Sequence, residues 1–495
     1  MSICIGRQLP SVCAVSSDHR VLSLELLRFQ QTLLRRTVCN TRKRDSKILD
    51  ETRRVNHRPM ERNRTREGFE SSRAAHRLGV LSLFTGAGGL DLGLEAAGFS
   101  TRLCVENDPD ALETLAINRP RWKIASPCDA VDFAADPLRA MSRAGIERGD
   151  IFLLAGGPPC QPFSKASYWT QYGPARMRDP RASSTIRAYL QIVAAVRPTV
   201  LLFENVAAFA FRNRDEAFAS LVKGLRRINR DHGTSYEPQL FRINAADYGI
   251  PQLRERVFIL AHHRGSMLKL PPATHGPTSA DQKPYTTAWD AIGDLDGDIP
   301  ELALQGRWAE LLPSIPEGSN YLWHTPGRGG QPLFGWRTKY WSFLLKLAKA
   351  LPSWTISASP GPAAGPFHWR NRLLSTQELC RLQTFPDGYR IAGSRRAAQR
   401  QIGNAVPSAL AEFIGLEIRR QLADDANAPK QPSLVPTYRA GRPDPEPMRS
   451  VHRSYLSLRG THKAHPGTGK GPSPQRHLGR AGVGRGSKRR VNGAR

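Results

Sequence analysis

Cys160 stands where an apolar run ends, in Leu153-Leu154-Ala155-Gly156-Gly157-Pro158-Pro159-Cys160-Gln161-Pro162-Phe163-Ser164. The run from Ile151 to Ala155 reads as a buried strand, and paired glycines and prolines stop it. In open α/β sheets chemistry gathers just past the carboxyl ends of strands, so a thiol there is a candidate nucleophile. Taken alone, a free cysteine is more often an inert small hydrophobe. Glu204 ends a second apolar run, Thr199 to Phe203, and would lie on the same edge. A thiol and a carboxyl at neighbouring strand ends suit nucleophilic attack assisted by an acid, whereas an isolated glutamate is more often a surface group. Arg254 and Arg256, in Gln252-Leu253-Arg254-Glu255-Arg256, fall on one side of an extended segment. They would contact phosphate or substrate and lower the thiol pKa, or else form a solvated edge.

A second constellation points to a cofactor. Thr85-Gly86-Ala87-Gly88-Gly89 follows one strand and opens a helix, and Glu106 ends the next strand 17–20 residues beyond those glycines. Free helix N–H groups hold anions, and an acid at that distance typically holds the two hydroxyls of a ribose. The pair indicates a nucleoside-containing cofactor, and the spacing is not the G-x-G-x-x-G of a dinucleotide binder.

The elements that must position these groups alternate. Val80–Phe84, Arg102–Val105, 151–155, Thr199–Phe203 and Arg256–Ala261 read as strands. Leu90–Ala97, Pro109–Ile117, Ser183–Val196 and Ala217–Ile228 read as helices, and Asp129 ends a short further segment. That rhythm predicts a mostly parallel sheet covered on both faces. Residues 264–370 are rich in Pro, Gly and Asp, with a helix expected over Lys339–Leu351. Periodicity returns with a helix over Ser375–Gln383, capped by Ser375 with Glu378, and a last helix over Pro407–Leu422. The division is therefore a basic extension at 1–76, carrying an amphipathic helix at Arg20–Arg36; an α/β domain at 77–263; a smaller irregular domain at 264–370; a return at 371–424; and a coreless basic tail at 425–495.

Net charge is +29, of which +8 lies in 1–76, +9 in 77–424 and +12 in 425–495, so the termini carry most of it. Such a chain favours a polyanionic partner. The seven cysteines show neither disulfide framework nor metal spacing, so a reducing compartment and no metal are expected. No run is long and apolar enough to span a membrane.

Six motifs, in order, resemble the DNA (cytosine-5)-methyltransferases of bacterial restriction-modification type. They are Leu83-Phe84-Thr85-Gly86-Ala87-Gly88-Gly89; Pro158-Pro159-Cys160-Gln161-Pro162-Phe163-Ser164; Glu204-Asn205-Val206; Gln252 to Arg256; Arg372 to Glu378 with Arg381 to Pro386; and Gln401-Ile402-Gly403-Asn404-Ala405-Val406-Pro407. The resemblance covers about 79–422. It implies a Rossmann-like S-adenosylmethionine-dependent domain, with 264–370 as target-recognition domain. Cys160, Glu204, Arg254 and Arg256 would be catalytic, with Cys160 adding to C6 of a flipped-out cytosine and Glu204 bonding its N3. Phe84, Gly86, Gly89, Glu106, Asn107, Asp129, Pro158, Asn404 and Val406 would bind S-adenosyl-L-methionine. Asn107 stands where relatives often carry an apolar residue. Gln161, Ser164, Arg328 and Arg337 would touch DNA, and Trp336 and Trp341 would either join them or form core. The implied protein is a monomer acting on double-stranded DNA in a bacterial cytoplasm, with a cognate restriction endonuclease as possible partner. A transfer-RNA methyltransferase and a silent DNA-binding regulator are the competing readings.

Overall fold

In the computed structural model the described residues are 78–159, 180–210, 216–277, 279, 283–334, 341–423, 428–429 and 431–459. All of them belong to one compact unit. Cys160, Gln161, Ser164, Trp336, Arg337 and the extension at 1–76 lie outside them.

The first half runs β1 (Gly79–Leu83), α1 (Gly89–Ala96), β2 (Ser100–Val105), α2 (Pro109–Asn118), α3 (Ala130–Phe133), α4 (Pro137–Arg143), β3 (Leu153–Gly156), α5 (Pro180–Val196), β4 (Val200–Val206), α6 (Glu216–His232), β5 (Gln239–Asn244), β6 (Gln252–Leu253) and β7 (Glu255–His262). The main sheet has the order β2-β1-β3-β4-β7-β5. The first four are parallel, and β7 is antiparallel to both β4 and β5. From β1 the chain steps outward to β2, then returns to the other side of β1 as β3. That reversal opens a crevice at the carboxyl ends of β1 and β3, where open sheets bind ligands. The five strands expected from sequence all lie in this sheet, with slightly shifted ends. β5 was not foreseen; its sequence is mixed and its residues are mostly half-buried, as on a sheet edge.

Side chains alternate across the sheet, which is why the strands read as continuous apolar runs. Leu81, Leu154, Leu201, Phe203 and Ile259 pack with Ile192 and Val196 of α5 and Leu221 and Leu225 of α6. Val80, Leu153, Leu202 and Phe258 pack on the opposite face with Leu94 of α1. The residues that complete that second face come from the far end of the chain. α10 (Ser408–Leu422) lays Leu410, Phe413 and Ile414 there, after α7 (Ala288–Ile292), β8 (Ser353–Trp354), α8 (Thr376–Leu382) and α9 (Arg395–Asn404). At α8 the expected cap is present: Ser375 Oγ accepts from Glu378 N at 3.1 Å, and Glu378 accepts from Ser375 N at 2.7 Å.

Two expectations are corrected. The helix over Lys339–Leu351 is absent from the described part of that span. Its amides bond elsewhere, Leu344 N to Ala363 O, Lys346 N to Ser319 O and Leu347 N to Phe367 O, threading 343–347 through a small apolar core with Leu311, Tyr321 and Phe367. Asp129, at the end of the short further segment, caps α3, accepting from Val131 N at 2.8 Å. The tail is not coreless from 425. Residues 431–459 form a strap across the molecule. Ser433 and Leu434 bond Glu412 of α10, Arg439 bonds Asp290 of α7, Glu446 pairs with buried Lys349, and Tyr455 is buried against Trp308. Composition hides this because the strap's packed apolar residues, such as Leu434, Val435 and Tyr455, are scattered among Pro, Gly and polar residues without a period, and polar contacts add to their packing.

Candidate active site

The glycine turn is built by its neighbours. Phe84 and Gly86 both adopt left-handed backbone, with φ of 55° and 57°. Glu106, at the end of β2, holds the turn: its carboxyl accepts from Gly86 N at 2.7 Å, Asn107 N at 2.9 Å and Asp108 N at 2.7 Å. Burial pushes this carboxyl's pKa up, and the amide bonds oppose the rise. Gly89 must be glycine, because a Cβ there would lie 2.5 Å from the carbonyl oxygen of Val406. The last motif therefore closes directly over the first. Tyr389 donates to Ala87 O at 2.8 Å, and Arg400 pairs with Asp108 at 2.8 Å and Asp110 at 3.0 Å.

Beside this turn the chemistry-bearing strand ends converge. In the antiparallel β4–β7 pair, Glu204 faces Phe258 and Val206 faces Arg256. Glu204 and Arg256 are thus diagonal neighbours on one face. Their side chains meet at 3.0 Å, both nearly buried. Burial raises the pKa of Glu204, against the lowering pull of Arg256 and then Arg254. Gly157 crosses so close that a Cβ would sit 2.9 Å from the Glu204 carboxyl. Buried Asn205 fixes the turn by donating to Pro158 O at 3.1 Å while its own oxygen accepts from Val206 N. The segment leading to Cys160 is therefore anchored two residues before the thiol.

One cavity of about 550 Å³ joins these parts. Its wall includes Phe84, Gly86, Gly89, Glu106, Asn107, Asp129, Pro158, Asn404 and Val406, together with Glu204 and Arg256. Asn107 reaches Asp129 at 2.6 Å. Arg254 is placed differently. It is fully buried off this wall, and its guanidinium donates to Gln252 Oε1 at 3.3 Å, Ile356 O at 3.2 Å, Gly403 O at 2.8 Å and Ala405 O at 2.9 Å. Arg254 lies in the break between β6, which ends at Leu253, and β7, which begins at Glu255, so the alternation of β7 orients Arg256 and does not govern Arg254. Arg328 is exposed on the smaller lobe and also lies off the wall. Sequence reasoning gave no part to Asn205, Tyr389, Arg400, Ser184 or Thr185, of which the last three line the cavity. Asn205 and Arg400 lie in or beside quoted motifs; nothing in the sequence singles out Tyr389.

A switch-point crevice, a glycine turn held by a strand-end acid and a returning C-terminal helix define a Rossmann-like methyltransferase fold. Residues 78–420 match the family described as C-5 cytosine-specific DNA methylase, and the chain belongs to that family. It is a DNA (cytosine-5-)-methyltransferase, and the methyl donor of its family is S-adenosyl-L-methionine. The chain is similar to the Type II methyltransferase M.SacI of Streptomyces achromogenes, 37% identical over 379 residues, which are 70% of this chain and 94% of that protein. It is 33% identical to M.AquIA of Picosynechococcus sp. over 49% of this chain and 98% of the relative. With M.XorII of Xanthomonas oryzae pv. oryzae it shares 29% identity over 71% of this chain and 87% of the relative. Among the described residues no helix is long and apolar enough to cross a membrane.

Proposed function

We propose that the protein methylates C5 of a cytosine extruded from a short fixed DNA sequence, through a transient bond from Cys160 Sγ to C6. The observation that carries this is the Glu204–Arg256 pair, diagonal on one face at 3.0 Å, beside the turn that delivers Cys160. S-adenosyl-L-methionine fits the cavity. Its volume is in the range of small-molecule sites, and Glu106 keeps lone pairs beyond its three amide bonds for ribose hydroxyls. Asn107 and Asp129 would bound the adenine side. Phe84, Gly86, Gly89, Pro158, Asn404 and Val406 would enclose the rest. When bound, the cofactor supplies an electrophilic methyl group.

The chain's residues do the remainder. Addition of the Cys160 thiolate to C6 pushes the ring's electrons toward N3 and C5. Glu204, whose burial favours the protonated carboxyl, donates to N3 and stabilises that charge. Arg256 holds the Glu204 carboxyl in place. After methyl transfer to C5, a base removes the C5 proton and the C6–S bond breaks, restoring the aromatic ring and the thiolate. The target atoms are hidden in duplex DNA, so the base must leave the stack, at a cost of a few kcal/mol.

Residues 264–370 would serve as the recognition domain, with Arg328 and Arg337 among its DNA contacts and Gln161 and Ser164 on the catalytic loop. We further propose that the enzyme acts as a monomer in the bacterial cytoplasm, protecting host DNA from an endonuclease of the same specificity. DNA containing 5-fluorocytosine should trap the wild-type protein covalently and fail to trap Cys160→Ser. Trapping of the variant would refute the assignment. Bisulfite sequencing of host DNA after expression should show one fixed methylated motif; methylated transfer RNA with unmodified DNA would select the competing reading.

A further inference from the structure

Residues 318–377 contain seven Lys and Arg and no Asp or Glu. Four of the seven are buried or paired internally. Lys346 is buried, Lys349 pairs with Glu317, Arg370 with Asp296 and Arg372 with Glu378. Arg328 is exposed, and Arg337 and Lys339 immediately precede Trp341 in the chain. Within this acid-free stretch, Trp341 is 44% exposed, one of the few large apolar side chains so placed among the described residues. It stands edge-on to Trp354, with ring centroids 5.2 Å apart.

The pair is not remote from the chemistry. Trp354 belongs to β8, which lies parallel to β6 with Trp354 opposite Leu253. Thr355 Oγ1 donates to Leu253 O at 2.6 Å, binding the two segments further. Arg256, on the cavity wall, follows Leu253 by three residues, a reach of roughly 10 Å. Ser353 is buried, whereas its neighbour Trp354 is half-buried, so part of the Trp354 ring stays accessible beside Trp341. An exposed tryptophan backed by a half-buried one near the cavity, inside a stretch of sequence with no negative charge, is suited to a polyanion that also offers apolar faces.

We propose that the Trp341–Trp354 pair is a DNA-contact surface, seated against the deoxyribose and unstacked base faces that flank the extruded cytosine. The inference rests on the DNA-methylation reading above. Trp354 props Trp341 at a fixed angle, and Trp341 makes the contact. An aromatic ring on a base face is typically worth about a tenfold change in affinity, and often more.

The test compares wild type, Trp341→Ala and Trp341→Phe on a duplex carrying the methylated motif. Trp341→Ala should raise the KM for DNA about tenfold or more, with the KM for S-adenosyl-L-methionine and the melting temperature unchanged. Trp341→Phe should retain most of the affinity. As a check independent of the truncation, DNA should shield from acrylamide the fluorescence that is present in wild type and missing in Trp341→Phe. Equal KM for DNA in all three proteins, or undiminished quenching with DNA bound, overturns the proposal while wild-type methylation leaves the parent reading standing. If Trp341→Ala instead abolishes a concentration-dependent dimer with DNA affinity intact, the surface binds a second copy and the proposal also falls. A wild-type protein that methylates no DNA refutes the parent reading itself.

Discussion

Asp91 should make the stability of this protein depend on pH in a way one substitution removes. It lies in the first turn of α1, directly after the glycine turn, and is fully buried. Neither carboxyl oxygen has a hydrogen-bond partner of normal geometry. Burial pushes its pKa from 3.8 up to about 7, with the nearby Ser82 hydroxyl opposing the rise and Glu95 and Glu106 adding to it. The sign follows from proton counting. Between pH 3.8 and about 7 the folded state keeps a proton that the unfolded chain has lost, so stability falls as pH rises through that window and levels off above it. A shift of about three units, at about 1.4 kcal/mol each, corresponds to roughly 4 kcal/mol over the whole window.

Asp91→Asn removes the titration while keeping shape and polarity. Urea unfolding of both proteins at pH 5 and pH 8 isolates the effect, because every other titrating group cancels in the difference. Asp91→Asn should gain about 3 kcal/mol relative to wild type on going from pH 5 to pH 8. Parallel stabilities at the two pH values would refute the reasoning and mean that Asp91 is ionised and solvated within the fold.

Three further outcomes follow from single contacts. Asn205→Ala strips the Pro158 carbonyl of its donor; kcat should fall at least tenfold with the KM for both substrates little changed, and an unaltered kcat would show that the turn needs no anchor. Arg254→Lys cannot span the acceptors the guanidinium reaches, so it should lower unfolding free energy by about 2 kcal/mol and weaken cofactor binding in a titration; a loss of kcat alone would return Arg254 to the chemistry. Tyr455→Ala removes a ring stacked on Trp308 and a bond to Arg307 O, costing about 3 kcal/mol by denaturation while cofactor affinity stays constant, since the strap does not line the cavity.

What the sequence disclosed and what it hid divide along a physical line. Strands buried on both faces announce themselves, because every residue of Leu201 to Phe203 must be apolar whichever way it points. Groups at strand ends are legible too, since an acid such as Glu106 or Glu204 that closes an apolar run has few other reasons to be there. Structure stabilised by polar contacts leaves no such trace. The strap at 431–459 is fixed through Glu412, Asp290 and Glu446, and its composition reads as disorder. The 343–347 segment suffers the reverse error: its apolar residues fit a helical period, yet the surrounding carbonyls claim its amides.

Arg254 shows why motif spacing alone misassigns roles. Two residues apart in one motif, Arg254 and Arg256 look equivalent, and both influence Glu204 electrostatically. Arg256 pairs with it directly at 3.0 Å. Arg254 is a buried cation that donates to carbonyls of two segments, at 356 and at 403–405, and their convergence helps offset its desolvation. The first belongs to the span 264–370 and the second to the Gln401–Pro407 motif. Ala405 lies one residue before Val406, whose carbonyl closes over Gly89. The chain thus ties the strand that pairs with Trp354, the arginine motif and the glycine turn together through buried contacts, so we propose that a displacement of residues 264–370 on DNA would be felt at the wall of the cavity.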